Sequence, residues 1–186
     1  MAIKDTLHDA EEKMKKTVHS VKREFSEVRT GRASPALVEG ILVDYYGTKT
    51  PIKQLATIST PDARLIAIHP WDASIIDQVE KAILQSNIGL TPNNDGKVIR
   101  ISVPHLTDER RADLDKIVKR IAEAGRVSLR TARRDANEAL KQLDKNKEIA
   151  EDDRFKSQDE VQEFIDKYTA QIEEALQAKE KEIQEG

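Results

Sequence analysis

Apolar residues recur at steps of three and four over residues 3–28, where Ile3, Leu7, Ala10, Met14, Val18, Val21, Phe25 and Val28 share one helix face. The spacing predicts a first helix that stops at "RTGRASP", with Gly31 as a left-handed C′ residue and Pro35 opposing continuation. A second stripe joins Leu114, Ile117, Val118, Ile121, Leu129, Ala132, Ala136, Leu140 and Leu143. Thr107 is its expected N-cap, and Asp108 and Glu109 complement the dipole of the first turn. This helix is about 40 residues and roughly 60 Å long. Gly125 sits near its middle at a cost of about 1 kcal/mol, which a long packed helix tolerates. A third stripe runs through Val161, Ile165, Tyr168, Ile172, Leu176 and Ile183, with Ser157 and Glu160 as an expected capping box at its start. None of the three helices is apolar all round, so each must pack on the others in a three-helix bundle.

Between the first and second helices the period changes. "GILVDYYGTKTPIKQLATIS" alternates β-branched and aromatic residues around a "YYGTKTP" turn, and "RLIAIHP" and "KVIRISV" are short strand-like runs. "WDASIIDQVEKAILQSNIG" predicts one helix, capped by Asp72 and closed near Gly89, and "PNNDGK" carries turn chemistry. Trp71 is expected to anchor the core of this region. The fold class is therefore α+β with two domains: a discontinuous, elongated antiparallel bundle of residues 1–32 and 106–186, and an inserted small α/β domain of residues 33–105. The chain crosses between them at "TGRASP" (30–35) and "VPHL" (103–106), both short and both containing Pro. Paired linkers of this kind predict a hinge at Gly31, Arg32, Ala33, Ser34, Pro104 and His105. A rigid elbow is the alternative.

Charge changes the picture. The formal net charge is −3, yet residues 1–32 carry +2, residues 33–106 −1, residues 107–147 +4 and residues 148–186 −8. A basic half and an acidic last helix would orient the chain on a polyanion, or attract one another as neighbours. Charged residues make up 35% and aromatics 4%, which favours narrow helical packing. The absence of cysteine excludes disulfides and thiolate chemistry and fits an intracellular setting. No apolar run approaches the roughly 20 residues a membrane span needs, so a soluble, cytoplasmic protein without membrane partners is expected.

The segment "RVSLRTARRDANEALKQL" (126–143) concentrates the basic charge. At about 100° per residue, Arg126, Arg130, Arg133, Arg134, Asn137 and Lys141 fall in one band, away from Leu129, Ala132, Ala136 and Leu140. Guanidinium groups in line match phosphate oxygens bidentately. With no aromatic on that face, base stacking is disfavoured and structured RNA or duplex nucleic acid is the expected partner. The alternative is a solvated face paired with Asp135, Glu138 and the acidic third helix. Arg29 and Arg32, with Arg110 and Arg111 at the start of the second helix, either extend the basic surface or neutralise a helix dipole.

Catalytic chemistry is missing. Neither GxxxxGK[ST] nor GxGxxG occurs, and no cofactor is implied. His8 and Glu12 are four apart, a spacing compatible with a metal but read as a surface pair; His19 is read as surface, and His69 and His105 adjoin prolines. No catalytic residue and no metal ligand is assigned, and the chain is not expected to be an enzyme. A helical adaptor that meets an acidic protein is the rival class.

Five ordered motifs then carry a resemblance: "EVRTGRASPAL" (27–37), "YYGTKTPIKQLA" (45–56), "LTDERR" (106–111), "LRTARRDAN" (129–137) and "EDDRFKSQDEVQ" (151–162). The chain resembles the bacterial ribosome recycling factor family nearly end to end, with mild departures at Thr131, Ala132 and "IHPWD". The resemblance implies an L-shaped molecule with a β/α/β small domain joined by a hinge to the bundle. It implies a translation factor that acts after termination with elongation factor G and GTP, splitting the ribosome so that mRNA and tRNA leave. GTP hydrolysis would belong to the partner, and the chain would be a monomer. By motif position, Arg130, Arg133, Arg134 and Asn137 are implied rRNA contacts on the large subunit, followed by Arg29, Arg32 and Arg110.

Overall fold

The computed structural model describes residues 2–186, which form helices α1 (Ala2–Glu27), α2 (Ile76–Gln85), α3 (Asp108–Lys145) and α4 (Glu151–Glu185). They also form strands β1 (Leu42–Tyr45), β2 (Thr48–Pro51), β3 (Ala56–Asp62), β4 (Leu65–Pro70), β5 (Pro92–Asn94) and β6 (Ile99–Ser102). Chain contacts divide these into a helical unit, up to Arg29 plus Asp108–Glu185, and a smaller unit, Thr30–Thr107.

The helical unit is built by the apolar stripes. Ala10, Met14, Val18, Val21 and Phe25 of α1 are buried, as are Leu114, Val118, Leu129, Ala132, Ala136 and Leu140 of α3 and the whole predicted stripe of α4. Arg126 reaches Glu173, and Lys119 lies near Glu180, so α3 and α4 run antiparallel. Glu11 meets Tyr168, while Val21 and Ile172 flank Gly125, so α1 runs in the same direction as α4. Arg154 joins Asp144 at 2.6 Å across the turn between α3 and α4, and its guanidinium also stacks on Phe155 at 4.4 Å.

Two helix ends differ from expectation. α1 stops at Glu27, where the Val28 N–H donates to the Phe25 carbonyl three residues back and closes the last turn early. Gly31 does take a left-handed φ of 75°, but in the linker and not as the C′ residue. α4 begins at Glu151, not at a capping box on Ser157. Three carboxylates, Glu151, Asp152 and Asp153, favour the positive end of the helix dipole. Ser157 is buried inside the helix, where its hydroxyl donates to the Asp153 carbonyl at 2.7 Å.

In the smaller unit, β1 and β2 form an antiparallel hairpin. Its turn residues Tyr46 and Gly47 both have positive φ, the geometry of a type I′ turn that matches strand twist. The remaining strands make an antiparallel sheet in the order β3-β4-β6-β5. Ile66 and Ile68 of β4 and Ile99 and Ile101 of β6 share one core with Val79 and Ile83 of α2. Asp72 caps the 3₁₀ turn that leads into α2, accepting from the Ser74 N–H, and the helix ends at Gln85, ahead of Gly89. The "PNNDGK" segment is not all turn: Pro92–Asn94 pairs with β6, and the chain turns at Gly96 and Lys97, between Asp95 and Val98. Trp71 is not a core anchor. It is 67% exposed, and its indole N–H donates to the Thr57 hydroxyl at 2.9 Å. The buried run of β4, Ile66–Ile68, ends before His69, and Trp71 lies just past the strand, outside the core layer.

Both linkers are tied to the backbone between β3 and β4. The Ala33 N–H donates to the Ala63 carbonyl and the Val103 N–H to the Arg64 carbonyl, each at 2.8 Å. Gly31 lies against the Leu106 side chain, so the two crossings touch within the smaller unit.

Candidate nucleic-acid interface

α3 is one uninterrupted helix of 38 residues whose buried positions, Leu114, Val118, Ala122, Gly125, Leu129, Ala132, Ala136 and Leu140, form a single seam. Everything off that seam is set in direction by the packing of the seam itself. Arg130 and Arg134 project to solvent, with side chains 52% and 77% exposed. Arg133 is half-buried on the α4 flank, where it donates to Gln162 at 3.3 Å. Asn137 is half-buried too, and its Oδ1 is shielded without a hydrogen-bond donor. Val127, Arg130, Thr131, Arg133 and Arg134 line one shallow concavity, in which Val127 is an exposed apolar floor.

Arg126 departs from the band. Its guanidinium is drawn to α4, bonding Glu173 at 2.6 Å and Glu123 at 3.0 Å, which raises its pKa chiefly through Glu173. Glu123 also accepts from Arg130 at 2.9 Å, and the two arginines, Arg130 first, hold its carboxyl below the usual range. Arg134 touches its neighbour Asp135 at 3.5 Å. The pairs made by Arg130 and Arg134 are open to solvent and weak, so a phosphate can displace their carboxylates. Arg130, Arg133 and Arg134 thus form a compact presenting group, and Arg126 is a helix-to-helix clamp.

Arg29 and Arg110 are exposed and belong to the helical unit, just past α1 and in the first turn of α3. Arg32 is exposed and belongs to the smaller unit. His8, His19, His69 and His105 are all exposed. Among the described residues no helix is long and apolar enough to cross a membrane. The sequence reading missed two features. One is the exposure of Trp71: its residue type predicts the interior, and no periodicity signal corrects that at the end of a strand. The other is a run of cations on one face of α1, which a helical wheel of that helix reveals.

The chain as a whole is similar to known proteins. The family model described as Ribosome recycling factor matches residues 21–183. The ribosome-recycling factor of Nitratidesulfovibrio vulgaris (strain DP4) is 54% identical over 183 residues, covering 98% of each chain. That of Desulfosudis oleivorans is 56% identical over 177 residues, covering 95% of this chain and 96% of the relative. A solution structure of a ribosome recycling factor aligns with a TM-score of 0.76 at 41% identity, covering 100% of this chain and 99% of the other. A second similar structure has a TM-score of 0.64 at 37% identity and covers 98% and 99%. It belongs to models for the T. thermophilus ribosome recycling factor and the E. coli elongation factor G bound to the E. coli post-termination complex.

Proposed function

Since the chain belongs to the ribosome recycling factor family, we propose that it holds large-subunit rRNA and, with elongation factor G and GTP, splits the post-termination ribosome to free mRNA and tRNA. The observation that carries the rRNA reading is the presenting group on α3. Arg130 and Arg134 stand in solvent on a rigid helix, one turn apart, with Arg133 and Asn137 beside them. Planar guanidinium forks at such spacing suit consecutive phosphates of a folded RNA backbone. Arg29, Arg32 and Arg110 extend the contact.

The chain itself performs no catalysis in this reading; GTP hydrolysis belongs to elongation factor G. A monomer in the cytoplasm suffices. The helical unit is the grip and the smaller unit the arm on which the partner acts. The hinge of this reading narrows to Gly31 and Arg32 on one crossing and Pro104 and His105 on the other. Ala33 is already bonded to the small-unit backbone, and Ser34 accepts from the Ala36 N–H. The structural neighbour that includes elongation factor G on a post-termination complex supports that choice of partner.

The experiment is subunit splitting followed by light scattering, with post-termination ribosomes, elongation factor G and GTP. The parent chain is expected to split them. Arg130→Ala/Arg134→Ala is expected to lower splitting at limiting factor concentration and to recover as its concentration rises, the signature of lost binding. No splitting by the parent chain would overturn the reading.

A further inference from the structure

Residues 15–26 of α1 hold a second surface. At about 100° per residue, Lys15, Lys16, His19, Lys22, Arg23 and Ser26 occupy an arc of roughly 120°, and no carboxylate falls within it over that stretch. All six are exposed, while Val18, Val21 and Phe25 on the far side are buried in the bundle. Lys15, Lys16, His19, Ser20 and Arg23 line a common concavity. The charge state distinguishes this face from the α3 surface. Lys15 pairs with Glu12 at 3.1 Å and Lys16 acts on the same carboxylate through space, whereas Lys22 and Arg23 make no ion pair among the described residues. On α3, Arg130 and Arg134 each already touch a carboxylate. Lys22 and Arg23 therefore need not shed a carboxylate to bind an anion, and Lys16 has only a through-space neighbour in Glu12. Between the two faces runs a groove lined by Lys16, Ser20 and Glu24 of α1 and by Ala124 and Ser128 of α3.

We infer that the outer face of α1, through Lys16, Lys22 and Arg23, is a second contact with the sugar-phosphate backbone of duplex RNA. This rests on the ribosome-binding reading above and adds to it a surface on another helix. The arc is roughly 16 Å long, a length that spans about five phosphates of one strand when measured along the duplex axis. Aromatic side chains are absent from the arc, so the face reads backbone and shape and not bases. Lys16 and Lys22 sit on flexible stems, which suits a tolerant ionic contact, and Arg23 adds one guanidinium fork.

The test uses the full chain and purified large ribosomal subunits, with affinity measured against salt and hydroxyl-radical footprinting of the rRNA. Lys16→Ala/Lys22→Ala/Arg23→Ala keeps the helix, since alanine is the best helix former and the three sites are exposed. The variant is expected to bind at least about tenfold more weakly near physiological salt. Its log K against log salt slope should shrink by about two to three, roughly one for each lost phosphate contact. It should lose backbone protections that Arg130→Ala/Arg134→Ala retains, and Lys16→Arg/Lys22→Arg should bind as the parent chain does. Unchanged affinity and slope, with the α3 variant still weakened, would overturn the inference and leave the proposed function standing. Both variants binding normally would overturn the rRNA reading itself. Weaker binding without any lost protection would identify an acidic protein as the occupant and overturn the RNA assignment.

Discussion

Gly125 of α3 lies so close to Val21 of α1 that a β-carbon on it would stand 2.6 Å from Val21 Cγ2, and 3.1 Å from Ile172 Cδ1 of α4. The glycine therefore lies directly against side chains of both other helices of the bundle. Val21 is β-branched and buried, so moving its methyl aside means leaving the one rotamer a helix strongly prefers. Gly125→Ala is expected to destabilise the chain by about 1–2 kcal/mol, because overpacking exceeds the gain of about 1 kcal/mol in helix propensity. Adding Val21→Ala should make the two changes non-additive and recover part of the loss. Denaturant unfolding of the three variants measures this, and a more stable Gly125→Ala protein would refute the packing assignment.

Arg126 and Arg134 are eight residues apart on one helix and predict opposite phenotypes. Arg126 clamps Glu173 and Glu123, so Arg126→Ala should lower stability by up to about 1 kcal/mol. Arg134→Ala should leave the melting temperature unchanged and weaken large-subunit binding. Arg133→Ala should also weaken binding, with a small stability loss from the bond to Gln162. Calorimetry paired with subunit co-sedimentation separates the two roles.

Tyr168 supplies a pH prediction. Burial and the hydrogen bond it donates to Glu11 at 2.8 Å push its pKa up to about 12. The unfolded value is about 10. A group raised on folding contributes its full stability below the unfolded pKa and loses it as pH climbs toward the folded value. Stability should thus fall between about pH 10 and pH 12 in the parent chain, and less steeply in Tyr168→Phe. Ultraviolet difference titration of parent against variant should isolate one late-ionising phenol; its absence would show that the tyrosine is open to water.

Gly31 offers a test of the linker. Its φ of 75° and its contact with Leu106 leave no room for a side chain, since a β-carbon would lie 2.9 Å from Leu106 Cγ. Gly31→Ala should destabilise the smaller unit by about 1–2 kcal/mol, the ordinary cost of a left-handed L-residue. Hydrogen exchange at Ala33 and Val103 should rise in the variant. Unaltered exchange would mean that the linker relaxes freely.

The heptad stripes made the three long helices legible, because burial on one face leaves the same periodic mark whatever the partner. Turn chemistry made the β1–β2 hairpin legible, since Tyr46 and Gly47 adopt the conformation that "YYGT" suggests. What failed was local. Ser157 has the composition of a cap but sits one and a half turns inside α4, satisfied by a carbonyl that a sequence cannot position. Trp71 shows that residue type alone does not decide burial at the end of a strand. The direction of each arginine depended on α4: Arg126 and Arg133 turn toward Glu173 and Gln162, and only the packed bundle decides which residue of the neighbouring helix is in reach. Gly125 seemed a tolerated weakness by propensity and is a packing requirement in three dimensions.

The most direct test of the account is the salt dependence of large-subunit affinity for Arg130→Ala/Arg134→Ala beside the parent chain. With the fold intact by circular dichroism, the account predicts weaker binding and a log K against log salt slope smaller by about two. Equal affinity and equal slope at every salt concentration would contradict it.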